Sequence, residues 1–285
     1  MARSNGKYRE RVWIPRQELV GQPTCLYQPP MKKHTVVSVL GVGDSRKIRI
    51  TQLNYEPKYV ERDQSLRGTV NDEKLLESIS RTKRTIYELS MCNEWDYFFT
   101  GTLDRTKYDR TDLDKYHHDL TQWFRDQGKK YGTKIQFLII PELHGDGQSW
   151  HMHGLLRGLT EDMLTQFKIG DKMGAGLARK VAHGDVVYNW PAYQKKFGFC
   201  DLEPIRNHEA VSKYITKYIS KELVSSVTEL NAQKYYCSRG LKRAEVIKKG
   251  LMSANIKPDY EGEFASVTTL AFSDAILNEI LGNVK

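Results

Sequence analysis

The spacing of hydrophobic residues changes several times along the chain, and each spacing predicts an element. Residues 35–40 and 47–51 are apolar-rich and flank a glycine-containing loop at 41–45, which predicts a β-hairpin. From Asn71 to about Asn93 apolar residues recur at helical spacing, with Arg81, Lys83 and Arg84 on the opposite face. Residues 1–35 are polar, basic and proline-containing. We therefore expect an extended arm, then a hairpin, then an amphipathic helix.

The middle of the chain alternates strand and helix patterns. The predicted order is a strand at 95–104, a helix at 112–130, a central strand at 134–142, a strand around residues 149–156, a short helix near 161–167, a glycine-rich loop at 170–176, strands at 186–188 and 198–203, and a long helix from His208. Residues 263–272 and 273–281 predict a further strand and helix. This order indicates an α+β fold with a central antiparallel sheet of the ferredoxin-like, split β-α-β type, with helices packed on it.

Charge is uneven along the 285 residues, whose formal net charge is +9. Residues 1–92 contain 17 lysines and arginines against 10 acidic residues, residues 93–230 contain 19 of each, and residues 231–285 contain 8 against 6. A basic segment beside a neutral body suits a polyanionic partner such as nucleic acid, although an ordinary basic surface explains the charge equally well. The four cysteines are far apart and no apolar run could span a membrane, which favours a cytoplasmic protein with reduced thiols.

The strand around His151 carries the first candidate chemistry. Alternate residues of a strand point to one face, so His151 and His153 lie side by side there. Two imidazoles can each give a nitrogen to a divalent metal, although a pair of histidines on a sheet often has no such role. The late helix carries the second candidate: Tyr214 and Tyr218 are one turn apart, between an apolar stripe and a stripe containing Lys213, Lys217 and Lys221. Packing on the sheet would also explain the tyrosines.

Together, the two motifs resemble the HUH endonuclease superfamily. His151-Met152-His153 is similar to its His-hydrophobic-His motif, and Tyr214-x-x-x-Tyr218-x-x-Lys221 is similar to the two-tyrosine motif of its rolling-circle replication initiators, such as phage gene A and gene II proteins. Residues 98–104 resemble the family's first strand motif. The resemblance covers roughly residues 95–225.

The resemblance implies a metal-dependent nickase and strand-joining enzyme. His151, His153 and Glu142 would bind Mg²⁺ or Mn²⁺, with His144 or Asp146 as alternative third ligands. One tyrosine would attack the DNA, leaving a 5′-phosphotyrosine and a 3′-OH that primes synthesis, while Lys217 and Lys221 would neutralise the phosphate. Which tyrosine acts first is left open. The partner would be single-stranded origin DNA.

The predicted division has three parts. Residues 1–92 would be a DNA-contacting or accessory arm, hairpin and helix, residues 93–230 the catalytic domain, and residues 231–285 an extension packed on it. Because no Walker motif is present, the helicase and the polymerase would be separate host proteins. Candidate DNA-binding residues are Arg81, Lys83, Arg84, Lys213, Arg239, Lys242 and Arg243. Alternatives are a transposase or mobilisation relaxase, a non-catalytic single-strand-binding protein, and a metallohydrolase that uses water.

Overall fold

The computed structural model describes residues 32–54, 72–226, 235–253, 256–262 and 265–285, without the side chains of 72–78 and 219–226. Most of the predicted arm, residues 1–31, lies outside this part. The elements in chain order are β1 (Lys32–Leu40), β2 (Lys47–Leu53), α1 (Asp72–Met91), β3 (Tyr97–Thr102), α2 (Leu113–Tyr131), β4 (Gln136–Leu143), β5 (Trp150–Arg157), β6 (Thr165–Gln166), α3 (Ala175–Ala182), β7 (Tyr188–Asn189), α4 (Pro191–Lys196), β8 (Cys200–Pro204), α5 (His208–Ser226), β9 (Tyr236–Cys237), β10 (Glu245–Ser253), β11 (Tyr260–Glu261), β12 (Ala265–Ala271) and α6 (Asp274–Asn283).

A seven-stranded sheet, which we call the central sheet, has the order β6-β7-β8-β3-β5-β4-β9 and antiparallel pairing throughout. The order of its four main strands, β8-β3-β5-β4, is that of the split β-α-β sheet. The predicted α+β fold with an antiparallel central sheet is therefore confirmed.

Helices cover both faces of the central sheet because its strands alternate apolar side chains in both directions. On one face, Met152 and Leu156 of β5 join a core with Trp123 of α2 and Tyr193 of α4. On the other face, Leu155 packs with residues of α1 and α5. Residues 134–142 were expected to form a central strand. Both faces of β4 are indeed buried, but β4 lies next to the edge, beside the two-residue strand β9.

A second sheet joins strands that are far apart in sequence. The predicted hairpin β1–β2 is present, and the sheet continues on both sides in the order β10-β1-β2-β12-β11. Ile280 of α6 packs in its core with Val37 and Ile50. Strand β10 was not predicted, because lysines and Gly250 interrupt the alternation of its apolar residues. The predicted boundaries at residues 92 and 230 remain a prediction.

Two local predictions between β5 and β8 were wrong. The expected helix at 161–167 is a single 3-10 turn, Glu161–Met163, followed by the short strand β6. The expected loop at 170–176 ends at Gly174, where α3 begins. Helices α3 and α4 have eight and six residues, which is too short for a clear helical period. No helix among the described residues is both long and apolar enough to cross a membrane.

Candidate active site

Strand β5 places the two histidines at the middle of the central sheet, between β3 and β4. His151 pairs with Thr102 on β3 and with Glu142 on β4, while His153 pairs with Thr100 on β3. Directly paired residues point to the same face, so Glu142 joins both histidines on the face covered by α5. The two imidazole centroids are 6.4 Å apart with an interplanar angle of 30°. The register therefore brings together the three residues that the sequence predicted as metal ligands.

His151 is held in an orientation by two neighbours. Its Nδ1 lies 2.9 Å from the hydroxyl oxygen of Thr102, and its ring stacks on His144 at a centroid distance of 4.7 Å. Burial, followed by the neighbouring His144, His153 and Arg110, lowers the pKa of His151 to about 4. The imidazole is therefore neutral at pH 7, which is the form that binds metals, with Nε2 as the nitrogen not used by Thr102.

His153 and Glu142 contact each other directly. Nε2 of His153 lies 2.5 Å from Oε2 of Glu142, while the buried Nδ1 of His153 has no hydrogen-bond partner. Within the described ranges, no three His, Cys, Asp or Glu side chains are arranged so that they could hold a metal ion together. The donor types of His151, His153 and Glu142 suit Mn²⁺ or Mg²⁺, but the Glu142 carboxylate would have to rotate away from His153 to admit an ion.

The two alternative third ligands differ in their surroundings. Asp146 accepts hydrogen bonds from the backbone N–H groups of Gln148 and Ser149 and from the Ser149 hydroxyl. These bonds, that from the Ser149 hydroxyl first, lower the pKa of Asp146 well below its usual range. Asp146 therefore shapes the β4–β5 loop, whereas His144 lies directly against His151.

Helix α5 is fixed over this face by its contacts with α1. The buried hydroxyls of Ser212 and Ser90 are 2.6 Å apart, and Nε2 of His208 lies 2.8 Å from the carbonyl oxygen of Ser90. Ile215 is completely buried in the core between α5 and the sheet. Residues 212 and 215 thus face inward, which directs positions 214 and 218 to the border of the buried stripe.

The tyrosine pair lies against the histidine pair. The ring of Tyr218 stacks on His153 at 4.2 Å between centroids and an angle of 16°. Its hydroxyl donates a 2.6 Å hydrogen bond to the hydroxyl of Tyr214, whose residue is 45% exposed. Phe98 of β3 contacts both tyrosines and His153. Burial, then the bond to Tyr214 and the charge of Glu142, raise the pKa of Tyr218.

Positive charges surround the tyrosine pair, and two of them were not predicted. The ammonium of the predicted Lys217 lies 5.8 Å from the ring centroid of Tyr214, whereas the side chain of Lys221 is outside the described part. Lys180 of α3 interacts electrostatically with Tyr214 and pairs with Glu203 at 2.6 Å. Arg110 affects His151, and its buried Nε has no partner. Only the tertiary fold brings these two cations here, so no local pattern could have indicated them.

Asp201 of β8 is an additional acidic group on this face. It pairs with Thr100 of β3, which in turn pairs with His153 of β5. Burial, with a contribution from Glu203, raises the pKa of Asp201 to about 6, against the effect of Lys180 and His153. A carboxyl group with such a pKa can be protonated or ionised near neutral pH.

The predicted DNA-binding residues are not brought together into one surface. Arg84 and Arg243 both pair with Glu88, and Lys213 pairs with Glu209 at 2.7 Å. The backbone N–H of Lys242 donates to Asn93. The side chains of Arg81 and Lys83 lie on the outer side of α1, and Arg239 follows β9. Their role in DNA binding remains a prediction.

Comparison with known proteins gives one match. A family model for replication-associated proteins, which covers the ORF2 and gene II proteins, matches residues 96–223. This span runs from the start of β3 into α5 and includes Glu142, both histidines and both tyrosines. No curated protein and no solved structure matches the chain significantly. Over these residues the chain is similar to replication-associated proteins of the ORF2 and gene II family, and this similarity supports the role of a replication initiator.

Proposed function

We propose that the protein initiates rolling-circle replication by nicking single-stranded origin DNA with a tyrosine and later rejoins the displaced strand. The observation that carries the proposal is the contact between the two motifs. Tyr218 stacks on His153, and its hydroxyl is 2.6 Å from that of Tyr214. Two nucleophile candidates therefore lie beside a candidate metal ligand, on the segment that matches replication-associated proteins.

The proposed reaction is a transfer of a phosphodiester to a phenol. The phenolic oxygen forms a bond to phosphorus, the bond from phosphorus to the 3′ oxygen breaks, and the leaving 3′ oxygen takes up the proton that the phenol loses. The products are a 5′-phosphotyrosine and a 3′-OH that can prime synthesis. A phenol is a weak nucleophile at neutral pH, and burial raises the pKa of Tyr218 further. The site must therefore stabilise the phenolate.

The chain supplies several groups for this task. His151, His153 and Glu142 would hold Mg²⁺ or Mn²⁺, with His144 beside His151 as the alternative third ligand. A bound divalent ion would withdraw charge from the scissile phosphate. Lys217 and Lys180 lie near Tyr214 and can neutralise the phosphate on the side away from the histidines. We also assign this role to Lys221.

The second tyrosine gives a route to strand joining. The hydroxyls of Tyr214 and Tyr218 share one hydrogen bond, so either can occupy nearly the same position. One tyrosine would make the first nick, and the other would cleave the regenerated origin while the first remains attached to DNA. The freed 3′-OH can then attack the first phosphotyrosine and close the displaced strand. Unwinding and synthesis are assigned to a separate helicase and polymerase of the host.

A covalent adduct tests the assignment. The protein is incubated with a pool of single-stranded oligonucleotides and Mn²⁺, and protein–DNA adducts are resolved on a denaturing gel. We expect an adduct that persists in either single variant, Tyr214→Phe or Tyr218→Phe, and disappears in the double variant. Tyr260→Phe is the matched control, because Tyr260 is 66% exposed on the second sheet. An adduct that survives the double variant would refute the assigned nucleophiles.

Metal dependence is tested separately. Removal of the divalent ion with EDTA should abolish the adduct, and so should His151→Ala or His153→Ala. Glu142→Ala should raise the Mn²⁺ concentration needed for half-maximal adduct by about 10- to 100-fold, within the range seen when a supporting metal-site group is lost. Unchanged metal dependence in Glu142→Ala would assign the third ligand to another residue. Binding of DNA without any adduct would favour the non-catalytic single-strand-binding protein instead.

A further inference from the structure

A basic groove lies on the face of the central sheet opposite the histidines. It is formed by the second half of α2, the turn that follows it, and the segment after β9, and its volume is about 730 Å³. We call it the α2 groove. Phe124 and Phe137, both buried, form its apolar floor. A smaller cavity of about 290 Å³ continues it along α2 toward His117 and shares Phe137.

The rim of the α2 groove carries a single sign of charge. Arg125, Lys129, Lys134 and Arg239 line it, all four are exposed, and no lining residue is acidic. Among the described residues none of the four forms an ion pair; Arg125 donates only to the amide of Gln122. This distinguishes them from cations such as Arg84, whose charge Glu88 compensates.

Such an arrangement suits a ligand that has both charge and flat apolar surface. Four converging cations repel one another, so a polyanion that spans them relieves the repulsion. Arg125 and Lys129 are one helical turn apart, so their attachment points are about 6 Å apart along α2 and can meet successive phosphates. The aromatic floor offers stacking or apolar contact to bases. An acidic peptide would use the rim but would not need an aromatic floor.

The groove is also placed to receive DNA that passes the candidate active site. Phe137 and Glu142 are five residues apart on β4, which corresponds to about 17 Å along the strand. Beyond β4 the sheet ends at the two-residue strand β9, so a single strand has a short path around this edge.

We propose that the α2 groove binds the backbone of single-stranded DNA outside the nicked position. This inference rests on the proposed nicking function for its biological context but concerns a separate surface. Contacts there carry affinity that is independent of the reacting phosphate, and they would be mainly to phosphates.

The salt dependence of binding tests the groove directly. Binding of the full chain to a fluorescent oligothymidine is measured by anisotropy in EDTA, which excludes metal-dependent cleavage, for Lys134→Ala with Arg239→Ala. Each lost phosphate contact lowers the slope of log K against log salt by about 0.7 for a single strand. We expect a slope reduced by about 1.4 and an affinity about 25-fold lower at 0.1 M salt.

The control variant removes the same charge elsewhere. Lys172→Ala with Lys195→Ala changes two exposed lysines that do not line the groove. Equal slopes and affinities for the groove variant and this control would overturn the proposal. So would unchanged DNA binding by the groove variant together with lost binding of polyglutamate, which would indicate an acidic protein ligand. Melting curves of both variants verify that they are folded.

Failure of this inference is distinguishable from failure of the nicking proposal. If the groove variant binds weakly but still forms the covalent adduct at saturating DNA, the groove is confirmed as a binding surface apart from the chemistry. If the wild-type protein forms no adduct but the groove variant still shows the reduced slope, only the nicking proposal fails.

Discussion

Glu88 is the charge that joins the second sheet to the helices over the candidate active site. Its carboxylate accepts a 2.5 Å contact from Arg49 of β2, and it also pairs with Arg84 and Arg243. Glu88 is 5% and Arg49 7% exposed. Removing one partner of a buried ion pair leaves an uncompensated charge, which costs about 3–5 kcal/mol. Because glutamine can still accept hydrogen bonds from Arg49, we expect Glu88→Gln to lower the free energy of unfolding by about 3 kcal/mol.

Urea unfolding followed by circular dichroism measures this loss. Arg84→Ala is the control, because its side chain is about half exposed and should cost at most about 1 kcal/mol. The double variant Arg49→Met with Glu88→Gln should lose less than the sum of the two single variants, because no buried charge remains unpaired. A loss below about 1 kcal/mol for Glu88→Gln at pH 7 would refute the reasoning.

The same variant gives a pH dependence. Burial opposes ionisation of Glu88, but the hydrogen bonds and charges of Arg49 and Arg84 lower its pKa overall. A carboxyl group with a lowered pKa in the folded state contributes stability above its unfolded pKa of about 4.3 and loses that contribution as pH falls through the folded value. The difference in unfolding free energy between wild type and Glu88→Gln should therefore be largest near pH 7 and shrink below about pH 4.5. A difference that grows on acidification would contradict the assignment of the charge.

Two further substitutions test the packing around the site. Gly154→Ala should cost about 1–3 kcal/mol and lower the melting temperature, because its Cβ would lie 2.7 Å from the carbonyl oxygen of Leu138; Gly176→Ala, with open space around it, should not be destabilising. Ser212→Ala should cost about 1–3 kcal/mol by leaving the buried hydroxyl of Ser90 unpaired, and adding Ser90→Ala should recover part of that loss in the same unfolding assay.

Long periodic elements could be predicted from the sequence, and short or non-local ones could not. Helix α2 was expected at 112–130 and is found at Leu113–Tyr131, with the Asp112 side chain capping it and Gly132 ending it. These local signals do not depend on the rest of the fold. Strand β10 and its pairing with β1 depend on residues about 200 positions apart, so no local pattern could indicate them.

The candidate site shows the same limit. The alternation in His151-Met152-His153 and the helical spacing of Tyr214 and Tyr218 are local, and each could be recognised in isolation. That Tyr218 stacks on His153 depends on how α5 lies across the sheet, which Ser212 and Ile215 determine through contacts with α1 and the core. The contributions of Arg110 and Lys180 come from a loop and a short helix whose positions only packing determines.

The pairing of β1 with β10 also has a consequence for biosynthesis. Every residue of the candidate site lies between the two strands that this pairing joins, so the central sheet has left the ribosome before the second sheet can be completed. Until β10 and β12 are made, β1 and β2 form only a two-stranded hairpin, which is marginally stable in water, and their outer edges can pair with other chains. A chain that stops before β10 would therefore be expected to aggregate through β1 and β2, even though it contains every candidate catalytic residue.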